Sequence, residues 1–297
     1  MTVTYRDVED PLESIEVTGT LAVSTIAGVV SVTPSSVDDR YRYAIAKVLA
    51  DYGDTISVAS KLKDLTKFGE NENIGTSLTT IMTLPSGVSS ETLSTSSNNI
   101  VSIISSNAGD TGTVTIEGHY FSGTDLIFTI QSATLTGQTA VTLTTALSRV
   151  TRVYSTSATS FSGDVAVYEG GTTTSGVPDT AASVHLITKA GEAQSQKAST
   201  SISSTDYWLL ESMTASVLEK VNSWAQVRIE TKPATSNIWR PVMQYIGVSD
   251  STGTTGAIFD PILIVPKNYD IRMVSKANAA NTHVAGGMRG ILAAVTS

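Results

Sequence analysis

Thr113-Val-Thr-Ile-Glu-Gly-His-Tyr-Phe-Ser-Gly-Thr-Asp-Leu-Ile-Phe-Thr-Ile130 is the stretch that decides the fold class of this chain. Two runs of strand-forming residues, 113–117 and 126–130, stand either side of the turn Gly123-Thr-Asp125. β-branched and aromatic side chains fit a pleated, half-buried surface, and Gly with Asp suits the reversal. The same texture extends outward. Residues 77–84, 100–104, 140–143, 149–154 and 165–168 are further short β segments, separated by turn residues such as Asn107-Ala-Gly-Asp110. Turn signals at intervals of about 8–12 residues predict a sandwich or barrel. Residues 170–178 read as a loop, and 184–187 as a strand that closes the sheet.

The last hundred residues carry the signature again. Ala225, Val227 and Ile229 alternate with Gln226, Arg228 and Glu230, and further segments follow at 239–246, 257–265, 271–274 and 284–292. Tyr207-Trp-Leu-Leu210 and Pro261-Ile-Leu-Ile-Val-Pro266 point to a core. Proline cannot donate to a ladder, so Pro241, Pro261 and Pro266 belong at strand ends, edges or bulges. Residues 189–204 are polar without an apolar period and mark a boundary. The expected architecture is mainly β: two antiparallel, jelly-roll-like sandwiches at 67–190 and 191–297, preceded by an arm and a helix at 1–66. In the arm, Ile15, Val17, Leu21 and Val23 offer one apolar strand face. A helix is predicted at Val37–Tyr52, where Tyr41, Ile45, Val48 and Tyr52 share a face. Ser35 or Ser36 caps its start, Asp38 and Asp39 suit the dipole, and Gly53 suits the exit.

Composition narrows the function. Ser (39) and Thr (43) together make up 82 of 297 residues, while only 15% are charged and 40% hydrophobic. Disordered chains combine low hydrophobicity with high net charge, which is not this profile. The formal charge of −8 argues against binding a nucleic-acid backbone, which needs a basic face. Without cysteine there is no disulfide, thiolate metal site or thiol nucleophile. The acidic first residues do not resemble a signal peptide. The uncharged run 17–37 holds eight Ser or Thr and Pro34, so it reads as soluble strand and loop rather than a bilayer span.

The search for chemistry finds little. His119, His185 and His283 lie 66 and 98 residues apart, without the close pairing that metal sites show. They read as strand or loop histidines. No nucleophile elbow, phosphate loop, dinucleotide fingerprint or calcium loop occurs. Asp110 with Glu117, and Asp164 with Glu169, are the nearest approach to paired carboxylates, and turn positions explain them better than glycoside hydrolysis. Arg149, Arg152, Arg240 and Arg272 read as a solvated face or structural ion pairs, and Trp208, Trp224 and Trp239 as core. The expectation is no enzyme, no catalytic residue, no cofactor and no metal.

Lys67-Phe-Gly-Glu-Asn-Glu-Asn-Ile-Gly-Thr76 resembles a K-F-G-x-N-x-x-[IV]-x-T pattern of virion structural proteins of tailed bacteriophages. Further pieces follow in the same order: Ile103-Ile-Ser-Ser-Asn-Ala-Gly-Asp-Thr-Gly112, Thr113-Val-Thr-Ile-Glu-Gly118, Thr134-Leu-Thr-Gly-Gln-Thr139, Arg149-Val-Thr-Arg-Val-Tyr154 and Gly163-Asp-Val165. The likeness spans about residues 67–171. It departs where a Gly-rich stretch often follows the first piece and this chain has Thr80-Ile-Met-Thr-Leu-Pro-Ser-Gly87. The resemblance implies a virion structural component located in the phage particle, and it carries over no catalytic residue. A decoration or cement protein on the head exterior is the first reading. Its partners would be other virion proteins, the major capsid protein above all, with neither nucleic acid nor membrane. The alternative is a tail, neck or fibre-attachment protein that binds a host surface or an adaptor. A polysaccharide depolymerase would favour the fixed-period repeats of a β-helix, and none is found. Sparse charge on many strands predicts a homo-oligomer, a trimer in the first instance. The arm residues Ile15, Val17, Leu21 and Val23 are the candidate interface, by strand addition.

Overall fold

A computed structural model describes residues 37–54, 56, 62–157, 159–218, 223–243, 245–249 and 253–295. The arm positions Ile15, Val17, Leu21 and Val23 lie outside them. Helix α1 (Val37–Tyr52) forms where its spacing predicts. Ala44 and Val48 are buried, and Tyr41 and Ile45 half-buried, against Tyr207, Leu209, Ile262 and Ala293. Gly53 ends it in the left-handed conformation (φ 70°), and its N–H bonds the Leu49 carbonyl at 3.0 Å.

The strands follow in chain order. They are β1 (Leu62–Ile74), β2 (Thr79–Thr80), β3 (Ile100–Ser105), β4 (Thr113–Ser122), β5 (Asp125–Thr134), β6 (Val141–Leu147), β7 (Arg149–Ser155) and β8 (Val165–Tyr168). Next come β9 (Thr173–Thr174), β10 (Val177–Pro178), β11 (Val184–Thr188), β12 (Ser199–Ser201), β13 (Asp206–Val217) and β14 (Trp224–Pro233). The last are β15 (Arg240–Pro241), β16 (Ile246–Ser249), β17 (Thr255–Val265), β18 (Tyr269–Ala277) and β19 (Thr282–Ala294). All ladders between them are antiparallel.

Two sandwiches result. In the first, the sheet β11-β8-β3-β6 faces β5-β4-β7 over Ile103, Val114, Ile116, Leu147, Val153 and Val167. In the second, the sheet β1-β19-β13-β17 faces β12-β18-β14-β15, with β16 on β14 and β2 on β18. Its core holds Trp208, Met213, Val227, Ile229, Met273 and Met288, joined by Ile74 and Ile81. Helix α1 covers the outer face of the sheet that contains β13. A bulge at Glu211, where the pairing of β13 shifts between Leu210 and Ser212 on both sides, sends that carboxylate to the helix. Tyr41 Oη donates to it at 3.2 Å, and burial together with this carboxylate pushes the phenol up to about 12.

Several segments depart from the sequence reading. Only Thr79–Thr80 of the run 77–84 joins a ladder, at the edge of β18. The run 239–246 is no single strand: Arg240–Pro241 pairs with β14, Pro241 has no N–H with which to extend that ladder, and Ile246 opens the separate strand β16, which also pairs with β14. β1 pairs with β19 from Leu62 to Asn71, so residue 66 lies inside a strand. The polar stretch 189–204 contains β12, flanked by Ala198 and Ile202 in the second core. The loop 170–178 holds a two-residue hairpin turn, Ser175-Gly176, with φ of 48° and 77°.

Candidate functional site

Close backbone approaches at two glycines, one within each sandwich, flank the junction where the sandwiches meet. In β1, Lys67, Gly69 and Asn71 alternate inward and Phe68 points outward, 46% exposed. A Cβ on Gly69 would stand 2.4 Å from the Ala198 nitrogen and 2.6 Å from the Ile81 carbonyl, so only glycine permits the approach. Asn71 locks it, its Nδ2 donating to the Thr80 carbonyl at 3.0 Å. Lys67 is thereby carried beneath β7, where Nζ donates to the Thr151 carbonyl at 3.4 Å. Among the described residues no carboxylate comes within ion-pairing distance of it. Burial lowers its ammonium to about 8.

In β4, Gly118 sits at a bulge against β7, and a Cβ there would meet the Arg149 carbonyl at 2.3 Å. This closeness lets Arg149 cross from the first sandwich into the second. Its Nε and Nη2 donate to the two oxygens of Asp270, each at 2.9 Å, and Nη1 donates to the Ser148 carbonyl at 2.8 Å. Lys232 Nζ lies 2.9 Å from Asp270, and Ser201 Oγ donates to it at 2.5 Å. Burial raises the Asp270 carboxyl, yet Arg149, Lys232 and Ser201 outweigh it and hold the carboxyl at about 2. A second buried chain pins the loop between β2 and β3. Glu91 accepts from Lys197 at 2.6 Å and lies 3.3 Å from His185 Nδ1, while His185 Nε2 lies 3.0 Å from Glu169. Burial pushes Glu91 up, but Lys197 and His185 bring it below the ordinary carboxylate range.

Beside this network lies a cleft of about 360 Å³. Lys67 and Leu65 of β1, Glu117 and His119 of β4, Phe128 of β5 and Ser201 of β12 line it, among others. His119 is 3% exposed, and burial pushes its imidazole down to about 3, so the ring is neutral. Nδ1 of His119 has no hydrogen-bond partner among the described residues, and the ring stands edge-on to Phe128 at 5.3 Å. Ser201 Oγ is committed to Asp270, and Ser203 Oγ bonds Asp206. Among the described residues no hydroxyl lining the cleft is hydrogen-bonded to Nδ1 of His119.

The residues considered from sequence fall as follows. His119 is in β4 and His185 in β11, while His283 of β19 lies 3.2 Å from Glu70. Asp110 is a loop acceptor, taking bonds from Ser105 Oγ (2.6 Å) and from the Ser162 and Gly163 amides. Glu117 pairs with Arg152 at 3.6 Å. Asp164 accepts from the Ala190 amide at 2.9 Å. Trp208 is core, but Trp224 is 46% exposed and Trp239 lies over the Arg272 guanidinium at 4.0 Å. Among the described residues there is no cluster fit to hold a metal ion and no helix long and apolar enough to cross a membrane. The junction cluster of Arg149, Asp270 and Lys232 escaped sequence reading, since 121 residues separate the first two.

No family model matches the chain, and no curated protein is similar to it in sequence. Among solved structures it is similar to one of the infectious bursal disease virus Gt strain, at 11% identity and a TM-score of 0.21, over 84% of this chain and 77% of that one. The T13 particle of the same virus gives 11% identity and 0.23, over 86% and 77%. T=1 particles derived from it give 11% and 0.22, over 84% and 74%. Overlaps this slight carry no functional reading.

Proposed function

We propose that this chain is a non-enzymatic structural component of a tailed-phage virion, a decoration or cement protein on the head exterior that binds the major capsid protein as a homo-oligomer. The observation that carries the reading is a sheet edge only partly covered. β5 is the edge of its sheet, and no charged residue occurs from Leu126 to Ser148. Ile130 on it is 58% exposed. Proteins that stay single protect such edges with lysine, proline or a covering element. Among the described residues this edge is covered at one end, where the Leu126 N–H donates to Asn268 Oδ1 and the Leu126 carbonyl accepts from the Ser204 N–H, each at 2.8 Å. Farther along, the Gln131 side-chain amide exchanges two 2.9 Å bonds with the Thr145 backbone, while Ile130 stays exposed. An edge of this kind suits a protein whose neighbours in an assembly cover it. The strand β1, which carries the motif of the resemblance, leaves Phe68 exposed to face such a neighbour. The arm residues Ile15, Val17, Leu21 and Val23 would add a strand to the capsid partner.

The test is localisation in a density map of intact particles, with the mass of the purified protein from light scattering. Density over the whole shell and a trimeric mass are expected. Density confined to one vertex would replace the reading by a neck or tail role. Absence from the particle would overturn it.

A further inference from the structure

We infer that the cleft between the sandwiches binds one acidic sugar unit, its carboxylate on Lys67 and its ring against Phe128. The cleft, about 360 Å³, is in the range of small-ligand sites and is walled by both sandwiches. Lys67 is 8% exposed, and its one hydrogen bond among the described residues, to the Thr151 carbonyl, is long at 3.4 Å. An ammonium held this way out of water leaves donors unspent, and an anionic oxygen in the cleft would take them.

The other charged wall groups narrow the class; Lys63 and Asp64 stand exposed at the rim of the cleft, with Glu117 and Asp206 farther in. Glu117 is offset by Arg152 at 3.6 Å, and Asp206 takes bonds from the hydroxyls of Ser203 and Thr205. Both keep acceptor capacity, which ligand hydroxyls would fill, whereas an apolar acid would bury them unpaired. A phosphate would bring about two negative charges against these carboxylates, so a single carboxylate suits the site better. Phe128, half-exposed and steadied by the edge of the neutral His119 ring, presents an apolar face of the kind that packs on a sugar ring. The donors and acceptors of His119 carry no charge to repel either part of the ligand.

The probes are D-glucuronate and D-galacturonate, titrated by calorimetry and by ligand-observed NMR against the full-length protein, with glucose and acetate as controls. Expected is saturable binding of a hexuronate, at least about tenfold tighter than either control, as befits one charge-assisted bond plus ring contact. Lys67→Met should weaken it about tenfold or more. Phe128→Ala lies on an exposed edge that leaves both cores intact, so its loss of binding tests the site even if the lysine variant does not fold. Affinity should fall as pH rises through about 8, where the ammonium loses its proton. Acetate binding as tightly as the sugar acids, or hexuronate binding untouched by Phe128→Ala, would overturn the assignment. So would no binding at tens of millimolar.

Discussion

Asp270→Asn tests the junction most sharply, because the change keeps the shape of the side chain and removes only its charge. The wild-type carboxylate is 1% exposed and meets Arg149 and Lys232, each 2% exposed. Removing it leaves two buried cations without a counter-charge. Breaking one buried pair costs about 3–5 kcal/mol, and the upper end applies with two cations stranded. With a denaturant slope of about 1–3 kcal/mol/M, the urea midpoint at pH 7 should fall by at least about 1 M. The acid limb gives a second reading. Asp270 titrates at about 2 when folded and near 3.8 when unfolded. The difference is worth roughly 2–3 kcal/mol, present above pH ~4 and lost as pH falls from there through ~2. Asp270→Asn should therefore lack that part of the acid slope. Arg149 comes from the first sandwich and Asp270 from the second, so the variant should also split one unfolding transition into two. Arg149→Met, Asp270→Leu and Lys232→Met together should recover most of the loss, since apolar packing can replace a buried ion cluster. A midpoint for Asp270→Asn within about 0.3 M of wild type, with an unchanged acid slope, would refute the reasoning.

Gly69→Ala places a Cβ 2.4 Å from backbone nitrogen and 2.6 Å from backbone oxygen, so it should cost about 3 kcal/mol or more, measured by thermal melting. Glu91→Ala strands Lys197, whose side chain is 4% exposed, and unpins residues 82–99; limited proteolysis should cut there at least about tenfold faster than in wild type. Deleting residues 2–34 should leave a soluble protein that melts cooperatively and no longer sediments with particles. An insoluble or molten product would mean that these residues complete the core instead.

What could be read from the sequence was local. The face of α1 and the alternation Ala225, Val227, Ile229 are periods within one element, and burial follows them. β12 was missed because Ser199-Thr-Ser201 holds no apolar side chain, and its burial comes from pairing with β18. Trp239 looked like core from its chemistry, yet the β14–β15 connection lays it over Arg272 on a charged sheet face. The junction was illegible for a stronger reason. Lys67 meets Thr151 across 84 residues and Arg149 meets Asp270 across 121, and register between distant strands leaves no trace in either segment alone. The cleft went unseen with it.

The motif at the head of β1 divides by face, and the division separates folding from recognition. Gly69 and Asn71 face inward, and close backbone approach and a side-chain bond to Thr80 account for both. Lys67 faces inward too, but packing does not account for it: a buried ammonium with one long hydrogen bond costs stability, and a leucine or methionine there would fold as well or better. Phe68 faces outward and serves no core. A strand needed only for folding would have an apolar residue at 67 and a polar one at 68. This chain has the reverse at both positions. The two faces of β1 therefore point to two uses, a ligand in the cleft for Lys67 and a neighbouring molecule on the outer sheet for Phe68. Lys67→Met should stabilise the protein while weakening hexuronate binding about tenfold or more, and Phe68→Ser should leave stability unchanged while weakening assembly.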